Sequence, residues 1–320
     1  MNKAVGFLFT LFVLAMAAIA FSERSDPPMP PTEVRIEHML MLDAVIVEDR
    51  IVTVGERGRI FVSDDGGREW RAARVDGEAT LTAVTRVGTD ILVAVGHDAV
   101  IQRSTDRGAT WTRVHEDAEA EEPLLTVHFD ADGHGFAAGA YGRFMESGDG
   151  GESWIERDLD GLDFHFNAFA EAADLLILAG EAGTLLRSED RGESWEMLDP
   201  PYEGSFFGAL ALPDNALLIF GMRGHVFRTD DGGDSWHELE TGSHSSLFGG
   251  RVLADGRVIL VGQSGAVVAS EDGGRSFRTL AGAERLVRAA VVGVGDDEVL
   301  LIGEEGYERV RLSSLREETD

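Results

Sequence analysis

The sequence predicts an all-β fold, a seven-bladed β-propeller of four-stranded antiparallel blades. Three observations predict it. First, an eight-residue box, Ser/Thr-x-Asp-x-Gly-x-x-Trp/Phe, occurs six times between Ser63 and Phe277, at intervals of 41 residues in four of five cases. Second, a Gly-x-x-Gly pair lies upstream of each box, at Gly55/Gly58, Gly139/Gly142, Gly180/Gly183, Gly221/Gly224 and Gly262/Gly265; the second unit keeps only Gly96, and Gly303/Gly306 marks a seventh unit without a box. Third, each unit holds four short apolar runs bounded by turn residues, as in Leu81 to Val87, Ile91 to Val95, Val100 to Ser104 and Trp111 to Val114. A repeat of about 40 residues with four strands is the period of a propeller blade, and a ring of such blades leaves only short, protected edges.

The N-terminus comes first in the chain and stands apart from the repeats. Asn2-Lys3 precedes an uncharged stretch from Ala4 to Phe21, followed by Glu23-Arg24-Ser25-Asp26 and the run Pro27 to Pro31. Residues 1-20 read as a secretory signal, with Ala18-Ile19-Ala20 as the small-x-small cleavage pattern, or as a retained anchor. Residues 21-31 then form a Pro-rich linker, and 32-320 form the propeller, since seven units of 41 residues consume what remains. The expected location is periplasmic or otherwise exported, with an uncleaved leader as a tether. The segment Glu33 to Glu37 is assigned as the outer strand of the seventh blade, closing the ring.

Within a unit the box bridges the third and fourth strands. Its aspartates, Asp65, Asp106, Asp149, Asp190, Asp231 and Asp272, are expected to accept backbone N–H groups two residues on, and its glycines take backbone angles closed to other residues. The aromatics Trp70, Trp111, Trp154, Trp195, Trp236 and Phe277 include all five tryptophans. Side chains of that size bury roughly 150–250 Å² each, so they are assigned to packing between sheets. The boxes are therefore structural. The distance from the first glycine to the box aromatic is 15 residues in every unit, and only the stretch from Trp111 to Gly139 is longer than its counterparts, at 28 residues against 26. That insertion carries the acidic run Glu116 to Glu122, read as a solvated loop.

Composition narrows the partners. The formal charge is −30, Lys3 is the sole lysine, and there is no cysteine. A surface this acidic repels nucleic acid and anionic lipid headgroups. Disulfides, thiolate metal sites and a lipoprotein anchor are excluded. The nine histidines show no metal-ligand spacing, and no helix follows the Gly-x-x-Gly turns to make a phosphate loop, their glycines being read as relieving turn strain, so no cofactor or metal is expected. The chain is expected to be a monomer.

Alternating strand directions put the box turns and first hairpins at one end, and the second-to-third turns and interblade links at the other. The free end is the candidate contact face. It draws Arg57, His97, Tyr141, Met222 and Arg223 from the turns, and His165, Phe166, Tyr202, Phe206, Phe207, His244 and Phe248 from the links. Phe166, Phe207 and Phe248 are aligned as equivalent strand-start positions, followed by small residues that line the channel. Arg57, Arg59, Arg143, Arg223 and Arg288 form a candidate basic ring, suited to carboxylate recognition.

The box matches the Asp-box, or bacterial neuraminidase repeat, which fixes blade type more than activity. The longer pattern Gly-x-x-Gly-x-apolar-x-x-Ser-x-Asp-x-Gly-x-Ser-Trp, the seven units and the leader resemble the photosystem II stability/assembly factor family. That resemblance implies a non-enzymatic propeller that serves photosynthesis by scaffolding a membrane protein complex on its lumenal or periplasmic side. It also implies that an arginine-rich patch, here Arg57, Arg223, Arg59 and Arg143, binds the client. The alternatives are a glycan-binding module and a sialidase-like glycoside hydrolase. The latter needs an arginine triad and a Tyr nucleophile; Tyr202-Glu203 is the least unfavourable pair, and Arg35-Ile36-Glu37 departs from the Arg-Ile-Pro signature.

Overall fold

The computed structural model describes residues 2–20, 34–117, 119 and 122–317. The linker at 21–31, Glu33, and Ala118, Ala120 and Glu121 of the acidic run lie outside the described residues. Two compact units result, Met1–Val34 and Arg35–Asp320. In the first, an α-helix spans Asn2–Ala20 and exposes Val5, Phe7, Leu8, Phe9, Phe12 and Leu14. Among the described residues, no helix is long and apolar enough to cross a membrane.

The second unit is the propeller. Seven sheets follow one another along the chain, and their innermost strands are Met41–Val47, Leu81–Val87, Leu124–Phe129, Phe166–Ala172, Phe206–Ala211, Leu247–Val252 and Arg288–Gly293. Blades one to five are four-stranded antiparallel meanders. Blade six has five strands and blade seven three. The extra strand is Arg316–Glu317, which pairs with Leu280 and Ala281 after Leu312 has been buried against the sixth and seventh sheets.

The closing strand expected at Glu33 to Glu37 is not formed in its described part. Val34 and Arg35 belong to no strand, and Ile36–His38 is a turn of 3-10 helix. The seventh blade instead ends the ring by packing. Ile36 is buried where its carbonyl crosses Gly306, and the Gly306 amide donates to Met39 O at 2.8 Å. Trp70 of blade one lies 5.4 Å from the Tyr307 ring of blade seven, and Arg309 donates to the Gly66 carbonyl. A missing box leaves blade seven without a fourth strand, and the first box of the ring covers that gap with its Trp.

The boxes perform the structural role expected of them, with one change of detail. Asp231 Oδ1 accepts the Thr229 hydroxyl at 2.7 Å and the Ser235 amide at 2.9 Å, while Thr229 Oγ1 accepts the Gly233 amide at 2.9 Å. The bonds thus reach four residues along the chain, twice the expected span, because two consecutive left-handed residues, Gly232 and Gly233, wind the turn tightly. Hydrogen bonds from Ser235 and Thr229 hold the Asp231 carboxyl down at about 2. Each box aromatic packs on the preceding blade: Trp195 meets Phe144 at 5.7 Å and Phe136 at 6.1 Å. Such edge-on pairs add about 0.5–1.5 kcal/mol beyond the area they bury.

Candidate functional site

The face opposite the boxes is built from one repeated turn. At the end of each second strand the chain makes a three-residue 3-10 turn, and the middle residue is left-handed: Arg57, Asp98, Tyr141, Ala182, Arg223 and Ser264 have φ between 50° and 58°. Each turn is held by the neighbouring link, as when His97 N donates to Thr80 O at 2.9 Å and Met222 N to Ser205 O at 3.0 Å. The side chains of Arg57, Tyr141 and Arg223 are exposed, Tyr141 at 61%. Holding non-glycine residues there costs on the order of 1 kcal/mol each, which marks the positions for a use other than stability.

His97 is exposed on the same rim, and Arg59 and Tyr202 are half-buried behind it. Tyr141 stands edge-on to His165 at 4.7 Å, and Tyr202 lies 4.3 Å from the His225 ring. Arg143 and Arg288 are not part of this surface. Arg143 is 6% exposed and bonded to Asp117 at 3.0 Å and Glu122 at 3.2 Å. Arg288 is 1% exposed and bonded to Glu308 at 2.6 Å. The insertion after Trp111 carries acids back over Arg143, and the register of blade seven turns Arg288 into the core. Tertiary pairing of this kind leaves no trace in residue type.

Charge is divided between the two rims. On the box side, arginines are matched to carboxylates: Arg50 to Asp64, Arg107 to Glu48, Arg187 to Asp234 and Arg275 to Asp214, each at 2.6 Å. On the opposite side Arg57, Arg223 and Arg285 are exposed and have no ion pair within 4 Å among the described residues. Arg285 was not among the residues singled out from sequence. Its position in the link to blade seven, beside Glu284, is the signal that was available.

The central channel opens at this rim between Phe207 and Phe248, whose rings are 5.5 Å apart. The strand-start alignment differs from the expected one by a residue. Phe166 is equivalent to Phe206 and Leu247, all three fully buried, while Phe207 and Phe248 occupy the next position together with Asn167. A β-bulge after each strand start adds a residue and turns it toward the channel. Small residues, Ala168, Gly208, Gly249, Gly250 and Ala290, follow along the wall as expected.

Two charges within the channel wall were missed: Asp43 and Arg251. Each interrupts an otherwise apolar inner strand, and that interruption was the visible signal. Asp43 Oδ1 accepts Ala44 N and Oδ2 accepts Val84 N of the next blade, both at 2.8 Å. Burial pushes its carboxyl up to about 6, against the two amides and Arg251, which favour the ionised form. The folded state therefore holds a proton that the unfolded chain releases between about pH 4 and pH 6, so stability should fall as pH rises through that window and level off above it. One side of Asp43 is open to the channel and screened, which places the loss at about 1–2 kcal/mol. Urea denaturation at a series of pH values should show this decline, and Asp43→Asn should remove it. The box carboxyls, held low, act in the separate acid range below it.

The model of the photosynthesis system II assembly factor YCF48 family matches residues 116–259. That stretch is less than half of the chain, and over it the sequence is similar to the family. No curated protein sequence matches the chain. Among solved structures, "YCF48 bound to D1 peptide" aligns at a TM-score of 0.69 and 17% identity, covering 88% of this chain and 94% of that one. YCF48 from Cyanidioschyzon merolae aligns at 0.67 and 15%, covering 89% and 97%. A GH74 enzyme from Niastella koreensis aligns at 0.65 and 14%, covering 85% of this chain and 52% of that one. At these identities the likeness to each structure is one of fold. In this propeller the distinguishing features are the residues of the open rim.

Proposed function

We propose that the protein is an exported, non-enzymatic scaffold that holds a subunit of a membrane protein complex during assembly, using the rim opposite the boxes. The observation that carries this reading is an exposed cationic rim: in a chain of net charge −30, Arg57, Arg223 and Arg285 stand exposed and without an ion pair among the described residues at the end where Phe207 and Phe248 edge the channel. An acidic or C-terminal peptide segment with an apolar side chain fits such a surface, with Arg57, Arg223 and Arg285 for its charge and the two phenylalanines for its side chain. One structural relative is described as bound to a D1 peptide, which supports a peptide as the thing held. The exported location is supported by the apolar helix Asn2–Ala20 preceding the propeller. A monomer with one free rim, no cofactor and no catalytic residue is sufficient for this role. Tyr202 lies tilted 4.3 Å from the His225 ring and stacked 6.2 Å from Phe227, packing that argues against a nucleophile.

Proximity labelling from the full chain in its native envelope is expected to recover subunits of one membrane complex. The double variant Arg57→Glu, Arg223→Glu should weaken that capture about tenfold or more while leaving the melting curve in place, since neither side chain is packed. Capture unaffected by the double variant would overturn the assignment of the rim. Hydrolysis of sialosides, lost in Tyr202→Phe, would replace scaffolding with catalysis.

A further inference from the structure

The channel wall carries a second unmatched cationic site, at the end away from the proposed docking rim. Arg251 lies on the inner strand of blade six, between an axial cavity of about 240 Å³ and a second cavity lined by Ile46, Val252 and Gly293. It makes no hydrogen bond and no ion pair within 4 Å among the described residues. Arg86, on the inner strand of blade two and one register step nearer the box end, is likewise unmatched and close enough for its charge to act on Arg251.

Two guanidinium groups close enough for one charge to act on the other are unfavourable unless something neutralises them. The Asp43 charge offsets part of this from beyond 4 Å, and no neighbouring acid forms an ion pair with either arginine among the described residues. Asp43 spends both carboxylate oxygens on the amides of Ala44 and Val84. Asp255, in the second cavity, is engaged by Arg257 Nε at 2.7 Å, and Glu171 pairs with His128 at 3.1 Å. On the adjoining box rim, by contrast, Arg50, Arg107, Arg187 and Arg275 all have carboxylates at 2.6 Å.

The geometry points to a small oxyanion, a carboxylate or a phosphate, held between Arg251 and Arg86 in the axial channel. Planar forks of N–H donors match the paired oxygens of either group, and partial burial strengthens the contact by excluding water. Burial lowers the pKa of Arg251, Asp43 opposes that and Arg86 adds to it, and a bound anion offsets the net lowering. The cavity admits a group of a few heavy atoms and not a folded partner. This inference goes beyond the docking rim and is independent of it.

The test is calorimetric titration of the full chain at low ionic strength with inorganic phosphate and, separately, with succinate. Saturable binding of one equivalent of at least one probe is expected. It should weaken about tenfold or more in Arg251→Gln and by a smaller factor in Arg86→Gln. Arg285→Gln, on the other rim, should leave it unchanged. Succinate bound without phosphate would assign a carboxylate, and the reverse a phosphate. Failure of both probes to saturate, or binding undiminished in Arg251→Gln, would overturn the proposal. Should Arg251→Gln fold poorly, the exposed Arg86→Gln carries the same reading, and an unchanged affinity there counts against the site. Client capture should be indifferent to both variants, so the two proposals fail separately.

Discussion

Gly221→Ala should destabilise the propeller by about 3–5 kcal/mol, among the largest effects of any single methyl group added to this chain. Gly221 has φ of −178°, an extended conformation open to any residue. A Ramachandran argument therefore predicts tolerance. Packing predicts the opposite, because a Cβ there would lie 2.2 Å from the carbonyl oxygen of Ser205 and 2.8 Å from the Cα of Phe206. Both are backbone atoms of the inner strand and cannot rotate away. The equivalent glycines, Gly55, Gly96, Gly139, Gly180, Gly262 and Gly303, meet the same obstruction at 2.0–2.4 Å. The first glycine of each pair thus exists for close approach of two strands, not for relief of turn strain as the pattern alone suggested. Urea denaturation should show a lower midpoint with an unchanged slope. Gly88→Ala is the control: its φ is +65° but nothing lies within 4 Å of the new atom, and the expected cost is about 1 kcal/mol. Equal losses in the two variants would sink the packing argument.

Removing Glu308 should cost about 3–5 kcal/mol, while removing its partner should cost little or nothing. Arg288 occupies the strand-start position that holds Met41, Leu81, Leu124, Phe166, Phe206 and Leu247 in the other blades, all of them buried. Its guanidinium donates to Glu308 at 2.6 Å, a second carboxylate, Glu284, is 3.8 Å away, and its Nε has no partner. Glu308→Ala would leave a cation in the core with its main counter-charge gone. Arg288→Met restores the apolar character of the other six blades and removes the desolvation cost, so it should lie within about 1 kcal/mol of the parent or above it. The comparison by chemical denaturation is decisive in sign: a larger loss in Arg288→Met than in Glu308→Ala would show that the pair contributes net stability.

The blades were legible because their signals are local. A serine, an aspartate and a glycine within five residues specify a turn through bonds that close inside that turn, and the repeat then places the next turn at the same distance. The open rim was legible in outline for the same reason, since strand direction alone puts Arg57, Tyr141 and Arg223 at the end opposite the boxes. Individual members of the face were not. Arg143 and Arg57 look alike in sequence, yet acids reach Arg143 from an insertion more than twenty residues away, and none reaches Arg57. The one-residue slip at Phe207 and Phe248 came from a bulge, which changes facing without changing composition.

Sequence by itself determined the number of blades, the structural use of the boxes and the end to which the second-to-third turns run, because each follows from hydrogen bonds and strand reversals among near neighbours in the chain. Only the tertiary structure decided how the ring closes, which arginines remain unmatched and what faces the channel. Those depend on charges and backbones brought together from opposite sides of the ring, where distance along the chain carries no information about distance in space.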